Sequence, residues 1–126
     1  MSDDTDDLLG WVREAARGAD DKKAVNTLVI DVGEVLSVTD YFVITNGTNP
    51  RQVAAIVEGV EARVKERGGP SPVRIEGADQ REWVLIDYGG FVVHVFDADH
   101  RDFYQLERLW SDRPTVDWEP VVPGEV

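Results

Sequence analysis

None of the 126 residues is a cysteine, which excludes a disulfide framework, thiol catalysis and any thiolate metal site. No stretch approaches the ~20 apolar residues that cross a bilayer, so no membrane association is expected. The first residues, Met-Ser-Asp-Asp-Thr-Asp-Asp, have neither a basic segment nor an apolar run. They do not read as a secretory signal, and a cytoplasmic location is the expectation. Basic charge is scarce: 13 Lys and Arg face 25 Asp and Glu, a net charge of -12. Nucleic-acid affinity comes mostly from Lys and Arg displacing counterions, so direct binding to nucleic acid is disfavoured. A basic protein is the complementary partner, although acidic ends also serve plain solubility.

The acid excess is uneven. Residues 1–21 carry seven acids against two bases, residues 111–126 four against one, and the middle fourteen against ten. The length fits one domain. Its expected division is an acidic N-terminal segment with a first helix over 1–21, a main domain over 22–110, and a Pro-rich acidic tail over 111–126 without regular structure.

The stretch from Trp83 to Phe96 organises the rest. Two apolar runs flank Asp87-Tyr88-Gly89-Gly90, and paired glycines supply the positive backbone angles of a tight reversal, which predicts a hairpin. Both faces of both runs are apolar, so each side of the hairpin needs a cover. Upstream, Leu8, Leu9, Trp11, Val12, Ala15, Ala16 and Ala19 recur at helical spacing, with Thr5 as a candidate cap. Ala24 to Val32 and Tyr41 to Thr45 read as strands. Asn49-Pro50-Arg51-Gln52 starts a long helix, with Asn as cap, Pro at the first position and Gln reaching back. That helix ends at Gly68-Gly69-Pro70. Val73 to Glu76 reads as a short strand, and Asp99 as the cap of a last helix whose Phe103, Leu106, Leu109 and Trp110 fall near one side and cover the sheet. The helix between the second and third strands allows that pair to be parallel. The whole predicts an α/β domain with a mixed sheet of about five strands and flanking helices.

Candidate chemistry is thin. Asp97 and Asp99 could hold a divalent ion for nucleotidyl transfer, but the capping role assigned to Asp99 accounts for it more simply. His94, Asp97, Asp99 and His100 fit no standard metal spacing, and His94 lies mid-strand among apolar neighbours, where a structural histidine is the commoner outcome. Gly47-Thr48 before a helix start could cradle a phosphate, yet neither phosphate-binding glycine motif is present, and no nucleophile elbow occurs. What remains is aromatic surface: Trp83, Tyr88, Tyr104 and Trp110 exceed what a small core readily absorbs, and such residues dominate interface energetics.

Taken jointly, Thr39-Asp40-Tyr41, Gly47-Thr48, Trp83-Val84-Leu85-Ile86-Asp87-Tyr88-Gly89, Val93-His94-Val95-Phe96, Arg101, Tyr104 and Leu106-Glu107-Arg108-Leu109-Trp110 resemble the ribosomal silencing factor family, also called the Iojap family. The resemblance runs over about Lys22 to Trp110. It implies a nucleotidyltransferase-like α/β fold lacking the catalytic set, with no enzyme activity and no cofactor. It further implies binding to the large ribosomal subunit through a basic protein, large-subunit protein fourteen, and steric blockage of subunit joining. Translation would thereby be repressed when nutrients are short, and the free protein would be a homodimer. The contact residues it suggests are Trp83, Asp87, Tyr88, Glu107 and Trp110, with Asp40 and His94 shaping the fold around them. The alternative is a metal-dependent nucleotidyltransferase using Asp97 and Asp99.

Overall fold

The computed structural model of the protein describes residues 4–119. In chain order the elements are α1 (Asp4–Asp21), β1 (Val25–Asp31), β2 (Tyr41–Gly47), α2 (Pro50–Glu66), β3 (Arg74–Glu76), β4 (Trp83–Asp87), β5 (Phe91–Asp97), α3 (Ala98–Tyr104) and a 3-10 helix, Leu106–Trp110. The expected hairpin is β4–β5. Gly89 at φ +87° takes the positive angle at the first turn position, as a two-residue reversal of the II′ kind requires, and the Tyr88 amide donates to the Phe91 carbonyl at 2.9 Å.

The five strands form one mixed sheet in the order β1-β2-β5-β4-β3. The parallel pair is β2 with β5. This corrects the expectation that the strands on either side of α2 could pair: β3 lies at the far edge, held antiparallel to β4. Strand β3 is only Arg74-Ile75-Glu76, too short and too charged for the centre and suited to an edge, while the choice of β5 as the parallel partner of β2 is made by long-range packing.

The pleat sends alternate residues to opposite faces. On one face Val29, Val43, Val84, Ile86, Phe91, Val93 and Val95 meet Val12, Ala15, Ala16 and Ala19 of α1 and Val53, Ile56, Val60 and Val64 of α2. Each such branched side chain contributes about 1.5–3 kcal/mol on full burial. The two helices touch backbone to backbone: a Cβ on Gly18 would stand 2.8 Å from the carbonyl carbon of Gly59. Arg63 locks the crossing, its Nε donating to Asp21 at 2.8 Å and a terminal nitrogen to Glu14 at 3.0 Å. The start of α2 follows the expected cap, with Asn49 accepting from the Gln52 amide at 2.8 Å. Gln52 reaches one residue further back than expected, accepting from the Thr48 amide at 2.7 Å, while its own amide donates to the carbonyls of Lys22 and Lys23 beyond α1.

Three other expectations change. Helix α1 begins at Asp4, so Thr5 lies inside it and not before it. The last helix is capped by Asp97, not Asp99, and breaks at Gln105, whose φ of 47° is left-handed. A 3-10 turn follows, and the break takes Phe103 and Leu109 out to solvent at 78% and 73% exposure, so the four apolar residues do not share one covering face. The described part of the tail lacks regular structure beyond a bridge between Thr115 and Ile30, yet it is firmly held. The Val116 amide donates to Val29 at 2.9 Å and the Asp31 amide to Pro114 at 3.0 Å, while Trp118 Nε1 donates to the Thr27 carbonyl at 3.1 Å. It thereby covers the open edge of β1, which would otherwise offer unpaired backbone groups to another chain. Pro120 and Pro123 lie outside the described residues.

His94 sits in β5, 4% exposed, and burial pushes its imidazole down from 6.5 to about 4. The unfolded chain therefore takes up a proton at a higher pH than the folded one. Stability contributed by the neutral ring is present above 6.5 and is lost as pH falls toward about 4, by roughly 3 kcal/mol.

Two outcomes test this packing. Gly18→Ala should lower the unfolding free energy by about 1–3 kcal/mol in urea titrations, although alanine is the better helix former by about 1 kcal/mol, because the Gly59 carbonyl cannot yield. Unfolding measured from pH 7 to pH 4 should show wild type losing more stability than His94→Gln, which carries no titrating ring. Parallel curves would refute the buried neutral histidine.

Candidate functional site

The second face of the sheet is closed only in part. Cross-strand partners share a face, so Trp83 with Phe96, Leu85 with His94, and Asp87 with Val92 project together, joined by Phe42, Ile44 and Asn46 of β2. The connection after β1, through Leu36, covers one side, and Leu106 and Trp110 of the 3-10 helix cover another. Between them runs a groove of about 480 Å³ floored by Phe42, Leu85, Val92 and His94 and rimmed by Val38, Thr39 and Val73. Its rim is open, with Val38 81% and Val73 71% exposed beside the charged Arg74 and Asp87.

An aromatic array supports the floor. Trp83 stacks on Phe96 with centroids 4.9 Å apart, and Tyr104 lies 4.9 Å from Trp83. Phe42 meets His94 edge-on at 4.7 Å and Trp110 edge-on at 5.6 Å. Trp83 Nε1 donates to His94 Nδ1 at 3.1 Å, fixing both rings.

Of the five candidate contacts, Trp83, Asp87, Glu107 and Trp110 belong to this face or its flank. Asp87 is partly committed, accepting from the Gly89 amide at 2.8 Å and lying 3.4 Å from Arg74 Nε, so it shapes the hairpin turn as well as the groove rim. Glu107 accepts from Arg101 Nε at 3.0 Å. Tyr88 does not join them. It is 6% exposed on the helix-covered face, stacked on Phe91 at 4.6 Å, and burial raises its hydroxyl above the ordinary value. One residue of register separates it from Asp87, and in a strand that is a change of face.

Arg101 holds the flank together. Its guanidinium donates to the Asn26 carbonyl at 2.7 Å, the Val25 carbonyl at 3.2 Å and Asn46 Oδ1 at 3.0 Å. It reaches the start of β1 where Asn26, at φ 53°, makes a bulge in the ladder with β2. The resemblance pointed to Arg101 without a role, and the role is structural.

Of the two carboxylates proposed for nucleotidyl transfer, Asp97 is otherwise engaged. Asp97 Oδ1 accepts from the His100 amide at 2.8 Å and pairs with His100 Nδ1 at 2.8 Å. The hydrogen bond to Asp97, with Glu82 and Asp99 nearby, raises the His100 imidazole above its ordinary value. Asp99 is exposed in the first turn of α3. Among the described residues no group of three or more His, Asp or Glu gathers at metal-binding distances. The Thr48 amide, the donor a phosphate would need, is taken by Gln52. No helix of the described residues is long and apolar enough to cross a membrane.

Sequence reasoning missed Leu36, Val38, Phe42, Val73 and Val92 as groove residues. The alternation of Trp83, Leu85 and Asp87 against Val84 and Ile86 was the signal for part of it; the contribution of the 33–40 connection has no local signature.

Comparison with known proteins agrees with this architecture. The model of the family described as "Ribosomal silencing factor during starvation" matches residues 5–125, a longer span than Lys22 to Trp110. The chain is 41% identical over 108 residues to the ribosomal silencing factor RsfS of Halalkalibacterium halodurans, covering 86% of this chain and 92% of that protein. It is 42% identical over 103 residues to the protein of the same name from Bacillus subtilis, covering 82% and 86%. A crystal structure of a protein from Chromobacterium violaceum superposes with a TM-score of 0.78 at 29% identity, covering 92% of each chain. With the family match spanning the α1–α2 layer, the whole sheet and the docked tail, the chain belongs to the ribosomal silencing factor family.

Proposed function

We propose that this protein binds the large ribosomal subunit through a basic ribosomal protein, large-subunit protein fourteen, and keeps the small subunit from joining by occupying its space. The observation that carries this reading is the half-covered sheet face. One side of the sheet is sealed by two helices, while the other leaves an apolar groove with Trp83, Trp110 and Phe42 beside it. Exposed contiguous apolar surface rimmed by charge is what interaction sites look like. The net charge of -12 favours a basic partner and speeds the encounter with it. Family membership supplies the ribosomal context.

Trp83, Trp110 and Phe42 are the anchors in this reading, Asp87 and Glu107 the charged rim, and Tyr88 is a core residue. About 800 Å² on this protein suffices for a stable complex. Blocking demands no chemistry and no cofactor, so the protein acts as a cytoplasmic repressor of translation under nutrient limitation and not as an enzyme. A homodimer of the free protein would shield the same apolar surface.

Purified protein should co-sediment with free large subunits and lower the fraction of joined ribosomes; absence of any association would sink the proposal. Val38→Asp and Val73→Asp alter side chains that are 81% and 71% exposed, so the fold should survive them. Each should weaken association by about tenfold or more, of the order seen when a central interface residue is lost. Undiminished binding by both variants would move the contact off the groove.

A further inference from the structure

The aromatic array does not end at Trp83. Tyr104 lies 4.9 Å from Trp83, and Phe103 meets Tyr104 edge-on, with centroids 5.0 Å apart and ring planes at 88°. Both outer rings stand in solvent, Phe103 at 78% and Tyr104 at 48% exposure. The left-handed turn at Gln105 ends α3 straight after them. One exposed ring is ordinary on a protein surface. Two in contact, joined to Trp83, extend the open face of the sheet outward onto α3.

The two rings wall a hollow of about 330 Å³, and Asp99 and His100 complete its lining. The charge around it is acidic. His100 Nδ1 lies 2.8 Å from Asp97 and its Nε2 3.5 Å from Glu82, while Asp99 and Asp102 are exposed three residues apart on the helix. The basic side chains nearest along the chain do not reverse this. Arg101 is turned inward, to the carbonyls of Val25 and Asn26 and to Glu107, and Arg108 donates to Gln105 Oε1 at 2.7 Å. Counting the exposed Arg81 and a protonated His100, the acids Glu82, Asp97, Asp99 and Asp102 still outnumber the bases.

Exposed ring faces beside a carboxylate select a cation. An anion is repelled, and an apolar side chain brings Asp99 no counter-charge. Of the basic side chains, arginine fits better than lysine. Its guanidinium is planar and weakly hydrated, so it stacks on an aromatic face while its N–H donors reach a carboxylate; the lysine ammonium is a strongly hydrated point charge.

We propose that this hollow is a subsite for an arginine side chain of the basic ribosomal protein, its guanidinium stacked on Phe103 and facing Asp99. This rests on the partner assigned above. The contact surface then runs from the groove across Trp83 to α3. Its groove end takes apolar side chains, and its α3 end takes a charge and fixes the orientation of the bound protein.

The test titrates the full chain with purified large-subunit protein fourteen. Phe103→Ala removes a ring that is 78% exposed, so the fold should survive it, and binding should weaken about fivefold, the order of one exposed cation–π contact. Phe103→Trp should restore wild-type affinity, whereas Phe103→Leu, apolar without a ring face, should stay weak. Asp99→Asn should weaken binding two- to threefold at low salt and little at high salt. In a second arm, the ring signals of Phe103 and Tyr104 should shift in NMR spectra with N-acetyl-arginine amide and not with N-acetyl-citrulline amide, which has the same shape and no charge. If wild type binds the ribosomal protein, Phe103→Ala or Phe103→Leu binds as well, and arginine shifts the rings no more than citrulline, the subsite is wrong while the partner assignment stands. If wild type fails to bind the ribosomal protein at all, the partner assignment falls and this occupant with it.

Discussion

The parallel pairing of β2 with β5 is the constraint on which the rest of the molecule depends. It joins Tyr41 to Phe91 and Gly47 to Asp97 in unbroken register, and parallel neighbours cannot be linked by a tight turn. The chain must therefore leave the sheet after Gly47, and α2 is what it builds on the way. The same pairing brings the ends of β2 and β5 together, so that the helix starts at Asn49 and Asp97 emerge side by side. Arg101 is then close enough to tie α3 to Asn46 and to the bulge in β1.

That central pair also explains why the two faces differ. Helix α2 and the N-terminal α1 close one side completely, through a crossing tight enough to require Gly18 against Gly59. Little chain is left for the other. After β5 come a seven-residue helix and a five-residue 3-10 turn, which cover the Phe96 and Trp83 end but not the Leu85 and Val92 end, while the described tail goes to the β1 edge and the first core. The groove is where the covering material runs out. In the function proposed above, the surface offered to the partner is this hydrophobic face left unfinished, with the aromatic array of Trp83, Phe96, Phe42 and His94 beneath it.

Much of this was legible residue by residue. The Gly89-Gly90 reversal, the Asn49-Pro50 helix start and the branched runs of the strands are short-range signals, and each appeared where its chemistry placed it. The cap of α3 was misread because Asp97 and Asp99 are both competent caps, and only the point where β5 ends decides between them. Tyr88 was misplaced for a related reason. It stands beside Asp87 in a recognisable motif, and a motif read as a string hides the pleat that turns the two residues to opposite sides. The tail looked unstructured because it lacks any periodic pattern, yet Trp118 and Val116 pack against the main core once β1 offers a bare edge.

The sequence alone determined the excess of acidic charge, the mixed α/β class and the central hairpin, because these follow from composition and from interactions within a few residues. The tertiary structure decided which strands are neighbours, which face stays open, and that His94 is buried against Phe42 and Trp83. Those depend on contacts between residues far apart in the chain: Phe42 against His94, Trp83 against His94, Thr115 against Ile30. No local pattern specifies such contacts, since the free energy that selects them comes from closing the whole core at once.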